Sequence, residues 1–255
     1  MSNISYFAIK VLAFQKIKEF FTELQYTIVS PLVSTFIFLI ILSTLSHQHN
    51  LFIQSSTYEK FVIPGIILMI VMQVSYQNIS ESLISMKQIG SFNDYLVSPI
   101  SRIEILMAFM IANIFISLFL ALISLFFFSF FIELYSLNYF LFIYYLLLTS
   151  IIFSSIGSVV GFLFFTWDMQ QAILNFLIIP ISLLSGTFFS SEVVNSKWIF
   201  LFKYNPFYLI VDSFRKCFDD IIQINYKFEL YIIFFTLIFL LISIFIFKKG
   251  YKVIQ

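Results

Sequence analysis

The chain has 255 residues, of which 61% are hydrophobic and 11% charged, with a formal net charge of +1. A soluble domain carries roughly 25% charged residues, so this composition, with a mean hydropathy of +1.01, excludes a soluble enzyme and a disordered tail. The near-zero net charge excludes a nucleic-acid-binding domain, and the lone cysteine, Cys217, excludes a disulfide framework or a cysteine-built zinc cluster within one chain. What remains is an integral membrane protein. The 37 phenylalanines and 14 tyrosines read first as apolar filling of such spans, and only second as an aromatic-lined path.

The N-terminal segment 5–26 predicts an amphipathic helix. Ala13, Phe14, Ile17, Phe20, Phe21 and Leu24 share one helical face, with Gln15, Lys16, Glu19, Thr22 and Glu23 opposite. Such a helix suits the membrane interface, where Lys16 and Lys18 reach headgroups. Nothing before residue 28 resembles a cleavable signal, so the first span is expected to act as its own targeting signal.

Charge-free windows then define the spans. A bilayer core of about 30 Å takes about 20 helical residues, and a charge at its centre costs about 2.5–3.5 kcal/mol on insertion scales. The windows predict spans at about 28–45, 61–79, 105–131, 138–165, 170–190 and 229–247. None alternates with period two, so they are helices rather than strands of a barrel. The expected fold is all-α: a polytopic bundle of six transmembrane helices with an interfacial N-terminal helix. Six spans put both termini on one side. Cytoplasmic termini place eight basic residues inside and six outside, and five of those six fall in the single connection 191–227.

The loop 82–102 lies on the inner side in this topology. Gly90 can end one helix and Ser91 cap the next. Asn93 and Asp94 suit a first turn, and Pro99 restricts Ser98. The expected product is a short cytoplasmic helix exposing Phe92, Tyr95 and Leu96 as apolar knobs for a partner. On the outer side, 191–227 holds two apolar patches broken at Asn205-Pro206. It is too interrupted to span and is expected to dip partway from the outer face, with Cys217 reachable from outside.

Other features are local. Gly157 and Gly161 form G-x-x-x-G, extended by Ser150 and Ser154, and read better as packing within the chain than as dimerisation. Gln73, Gln77, Asn78 and Asn113 place amides inside spans, as either interhelical glue or a cargo lining. His47 and His49 are too few for a metal site, which needs about three protein ligands. None of the six glycines opens a G-x-x-x-x-G-K-[ST] phosphate loop. No Ser/His/Asp, Cys/His or H-E-x-x-H pattern places chemistry in the membrane. No enzyme activity and no cofactor are expected on this chain.

Three stretches resemble the permease subunit of an ABC transporter of the type-2 exporter class. They are Phe61-Val62-Ile63-Pro64-Gly65-Ile66 at the start of the second span, the inner loop ending in Leu96-Val97-Ser98-Pro99, and the run from Pro180 through Ser185-Gly186-Thr187-Phe188-Phe189-Ser190 and Asn205-Pro206 to Phe214-Arg215. Their order covers nearly the whole chain, as one type-2 transmembrane domain over 1–255. The acidic pair common in the family's inner loop is here Asn93 and Asp94. The resemblance implies a multi-pass bacterial inner-membrane subunit exporting a lipid, glycan or drug-like cargo. It implies that ATP is hydrolysed by a separate ABC ATP-binding subunit seated against Phe92, Asn93, Asp94, Tyr95, Leu96 and Pro99. It also implies a second permease copy, or a close relative, and an outer gate at Asn205, Pro206 and Arg215. The competing class is a secondary transporter, or another polytopic protein with no ATPase partner; a coupling-ion site would call for an acidic residue in mid-span, which no window holds.

Overall fold

The computed structural model describes residues 5–22, 58–92, 100–130, 137–188, 205–218 and 225–249, with 33, 35–37, 40–41, 44 and 202. The expected first span falls largely outside this set. So do His47, His49, Asn93, Asp94, Tyr95, Leu96 and Pro99.

The described residues are helical, with no strand among them. Helix α1 runs Tyr6–Thr22 and α2 runs Tyr58–Ile89. Helix α3 runs Arg102–Phe128 and α4 runs Tyr139–Leu163. The next span is composite: α5, Trp167–Ile173, a π-turn, Leu174–Ile178, and α6, Ile179–Leu184. Helix α7 is short, Pro206–Arg215, and continues as one 3-10 turn, Lys216–Phe218. Helix α8 is Tyr226–Lys249. Five of these units are long and apolar enough to cross a membrane: α2, α3, α4, the composite Trp167–Leu184, and α8.

The ends of the helices follow local chemistry. Ser101 and Glu104 form a capping box at the start of α3, each side chain taking the other's backbone N–H. Asn138 caps α4 by accepting from the Leu141 N–H at 3.1 Å. Gly90 closes α2 with φ of 83°, a left-handed conformation that favours glycine. Pro64 lies inside α2, in its second turn, where it removes one intrahelical hydrogen bond, and Pro180 lies just after the π-turn of the fifth span.

Helices α2 and α4 form the hub. A Cβ on Gly157 would overlap the Tyr76 carbonyl, and one on Gly161 would come within 2.9 Å of Ser80 Cα. The G-x-x-x-G pair therefore brings two backbones of the same chain together. The serines of α4 serve its other neighbours. The Ser117 hydroxyl of α3 donates to Ser150 at 2.9 Å, Asn113 of α3 donates to Ser154 at 2.5 Å, and Ser158 pairs with Ser243 of α8 at 2.6 Å. Small polar residues thus both admit close approach and satisfy each other between helices, which suits a low-dielectric surround.

Two apolar clusters divide the bundle. The larger joins α2, α4 and α7 at what the charge count makes the outer half, around Tyr145, Phe153, Phe207 and Phe214. The smaller sits at the inner end, around Ile9, Leu83, Phe92, Phe109, Phe162 and Phe247. Helix α1 contributes Ile9, Leu12 and Ala13 to it, and the Ser5 N–H donates to Glu104 Oε1 at 2.5 Å. One face of α1 is thereby packed on α3. Phe14, on the predicted apolar face, is 68% exposed; the residues of α1 that are buried in the bundle are Ile9, Leu12, Ala13 and Phe20.

Candidate functional site

The inner ends of α1, α2 and α3 line a half-open cavity of about 330 Å³. Helix α2 contributes Asn78, Glu81, Ser82 and Ser85, which recur at helical spacing along one face. Lys16, Glu19 and Phe20 come from α1, Phe109 and Asn113 from α3, and Trp167 from the start of the fifth span. Of the four amides expected to line a path, two meet here: the Asn78 amide donates to Asn113 Oδ1 at 3.3 Å. Asn113 is buried, its amide donating to the Ser75 carbonyl at 2.9 Å and to Ser154. It is therefore glue on one side and wall on the other. Gln73 and Gln77 are half-buried on α2 and do not line this cavity. Gln170 is wholly buried; its backbone carbonyl accepts from Tyr76 at 3.0 Å and its amide donates to Ser80 at 3.2 Å.

Just below the cavity, the end of α2 is fastened to the turn 164–166 that leads into the fifth span. The last turn of α4 leaves carbonyls without intrahelical donors. Lys87 Nζ donates to those of Phe162, at 3.1 Å, and Phe164, and lies 4.2 Å from the centre of the Phe165 ring. Gln88 donates to the Phe165 carbonyl at 3.1 Å and accepts from the Trp167 indole at 2.5 Å. Lys87 is one of the eight basic residues that the topology places inside, and its position near the end of α4 could not be read from spacing. Phe92 corrects an expectation: it is 3% exposed, packed edge-on against Phe162 with ring centres 6.4 Å apart. It anchors the loop to the bundle instead of standing out as a knob, because Phe162 and Phe247 converge on it. Ser91 likewise bonds back to the Met86 carbonyl, at 3.4 Å.

The opposite end has its own fastening. Asn205 caps α7 through the Phe207 N–H at 3.0 Å, reaches the Leu184 carbonyl at 3.4 Å, and Pro206 takes the first helical position. Ten residues span only about 15 Å, so α7 cannot cross a bilayer. It is buried on nearly every side, Asp212 being its one partly exposed residue. Arg215, at its end, is 9% exposed. Its Nε donates to the Phe61 carbonyl at 3.0 Å, and Nη2 to those of Thr187, at 3.1 Å, and Gly186. The guanidinium lies 3.7 Å from the Phe61 ring centre, within cation–π range. Burial lowers its pKa to about 10, which still leaves it protonated at neutral pH. One side chain thus ties α7 to the start of α2 and the end of the fifth span. Nearby, the Tyr58 hydroxyl donates to the Phe188 carbonyl at 3.0 Å. Glu229 of α8 accepts from Tyr144, at 3.2 Å, and Tyr145, at 2.5 Å. Cys217, expected to be reachable, is fully buried, and its carbonyl accepts from the Asn138 N–H at 2.9 Å.

A bundle of several apolar spans with a short buried outer helix defines a polytopic helical membrane protein. The chain belongs to the ABC-2 type transporter family, whose model matches residues 8–218, and is a membrane permease of an ABC transporter. It is similar to the inner membrane transport permease YadH of Escherichia coli strain K12, 24% identical over 215 residues that make up 84% of each chain. The permeases of that name from Escherichia coli O157:H7 and Shigella flexneri match to the same extent.

Proposed function

We propose that this chain is the membrane-spanning half of an ATP-driven exporter in a bacterial inner membrane, where its relatives are named as inner membrane transport permeases. Membership of the family implies an ABC ATP-binding partner, and the chain carries no phosphate loop of its own. ATP hydrolysis is assigned to that partner, and the cargo to the lipid, glycan or drug-like classes. A second copy of the permease, or a close relative, completes the path. Helix α1 lies in the interface, with Tyr6, Phe7, Lys10 and Phe14 directed away from the bundle.

The observation that carries this reading is the fastening at Lys87, Gln88 and Phe92. These residues lead directly into 93–99, the loop proposed to seat in the ATPase, and they grip the turn that begins the fifth span. A push on the loop is thereby delivered to Trp167 and to the cavity wall. Arg215 and Asn205 hold the other end of the same span and form the outer gate with Pro206.

The test is co-purification. Because Phe92 is part of the permease core, the contact residues to remove are Tyr95 and Leu96. Losing an interface anchor commonly costs about 2 kcal/mol, roughly thirtyfold in affinity. Tyr95→Ala with Leu96→Ala should release the ATPase while the permease stays inserted. Tyr226→Ala, on a residue 79% exposed at the far end of α8, should release nothing. Full ATPase retention by the double variant would remove the loop from the coupling route.

A further inference from the structure

We propose that the π-turn Leu174–Ile178 is the compliant joint of the fifth span, taking up movement of the inner fastening so that the outer fastening stays closed. This deepens the reading above and rests on it, since the push on the span is taken to come from the ATPase-bound loop and the outer fastening to be the gate.

The two ends of the span are held and its middle is not. At the inner end, Gln88 accepts from the Trp167 indole at 2.5 Å, and Gln170 is bonded to Ser80 and Tyr76 of α2. At the outer end, Tyr58 donates to the Phe188 carbonyl, and Arg215 to those of Gly186 and Thr187. A Cβ on Gly65 would come within 2.9 Å of Thr187 Cα, so α2 also meets the span closely there. From 171 to 183 the buried residues are Leu174, Ile178 and Ser182, while Asn175, Phe176 and Leu177 are exposed. A rigid helix between the two fastenings would carry a push at Trp167 straight to the gate. A segment with few buried contacts gives way first.

The backbone bonds of the middle favour such a change. The Leu174 N–H reaches the carbonyls of both Gln170 and Gln171, four and three residues back. The Ile179 N–H reaches the Leu174 carbonyl, five residues back. Three hydrogen-bond registers thus coexist around one turn, so a small shift exchanges partners instead of leaving a donor unpaired. Pro180 has no N–H to offer the Phe176 carbonyl, so no bond is broken at that step in either register.

A π-turn holds one residue more than the α-turn it replaces. Passing between the two absorbs up to one residue's rise, about 1.5 Å. Helix shifts of about 1–2 Å are the usual size of movement in switching proteins. The same count makes a structural prediction. Removing one residue within the turn leaves an ordinary α-helix with both ends in place. Removing one outside it rotates one end by about 100° against the other and breaks a fastening.

The test uses the complete complex, permease with its ATPase, in proteoliposomes loaded with carboxyfluorescein. Deletion of Phe176 and, in a second variant, of Leu177 should leave the complex assembled and melting within a few degrees of the parent. Deletion of Ile181, outside the turn, should abolish assembly. Without ATP, both turn variants should hold the dye as the parent does. With ATP they should leak it at least about tenfold faster, as loss of one charged hydrogen bond at the gate would allow. Turn variants that hydrolyse ATP and stay as tight as the parent would overturn the joint. So would a leak already present without ATP, or turn deletions as damaging to assembly as the loss of Ile181. A preparation that contains no ATPase would instead remove the parent reading, while the melting of the three deletions would still decide whether the turn carries a spare residue.

Discussion

The second and fifth spans are both apolar enough to cross a membrane, yet their surroundings are opposite. Over its most apolar window α2 is 78% buried by the rest of the chain, while Trp167–Leu184 is 22% buried, although the fifth span is the less hydrophobic of the two, with hydropathy 1.2 against 1.6. Hydropathy therefore reports residence in a membrane and says nothing of which neighbour covers a face. Polar residues show the difference more sharply. On α2, Ser80 and Tyr76 are buried and bonded within the chain. On the fifth span, Gln171 and Asn175 are exposed beside Phe176, which is 84% exposed. An amide turned toward lipid tails is unfavourable, so this face suits the proposed path and second copy. The π-turn Leu174–Ile178 lies under that face, and such turns redirect side chains at functional places in helices.

The largest effect belongs to the hub. Gly157→Leu places a side chain where the Tyr76 carbonyl already sits. Overpacking a filled core costs roughly 1–3 kcal/mol, and here the obstacle is backbone, so the upper end applies. The yield of monodisperse protein on size exclusion should collapse; an unchanged profile would break the contrast between the two spans.

Next comes the outer fastening. Arg215→Gln removes a charged donor from three carbonyls. The glutamine amide can keep part of these contacts, so the net loss is about 1.5–3 kcal/mol, the range for one hydrogen bond to a charged group, and the outer end should loosen. Proteoliposomes holding the variant should leak a small polar dye faster than the parent. Arg215→Lys should restore the seal only in part, because an ammonium lacks the fork that reaches Phe61, Gly186 and Thr187 together.

A smaller loss is expected in the cavity wall. Asn113→Ala removes the bonds from its amide to the Ser75 carbonyl and the Ser154 hydroxyl between α2, α3 and α4. Interhelical hydrogen bonds in membranes contribute about 1–2 kcal/mol or less. The melting temperature in detergent should fall by a few degrees, while the complex stays assembled.

The smallest effect on folding is expected on the open face. Phe176→Leu should leave melting within about 0.5 kcal/mol of the parent, as surface substitutions do. Chemical crosslinking between copies should nonetheless weaken if a second permease covers this face.

The sequence made the bundle legible because insertion energetics leave long charge-free runs. It was least informative where tertiary contacts override that logic. Arg215 was counted as an outer-loop charge, since a charge normally marks the edge of a span. Here backbone carbonyls of two other segments surround it and take the place of water. Phe92 was placed on the surface for the mirror reason: nothing within the loop shows that Phe162 and Phe247 come to meet it. The capping box at the start of α3 went unread, although Ser101-Arg102-Ile103-Glu104 has its spacing, and the further bond from Ser5 to Glu104 depends on where α1 packs. Asn78 and Asn113 were readable as amides in spans, and only the crossing of α2 and α3 shows that they share a cavity.

The mass of the intact complex tests the central claim most directly. Purified gently from the membrane with its partners, the 30.0 kDa chain should appear as two permease copies with two ATP-hydrolysing subunits, and the isolated chain should hydrolyse no ATP. A lone chain that drives transport without any ATPase subunit would contradict the account.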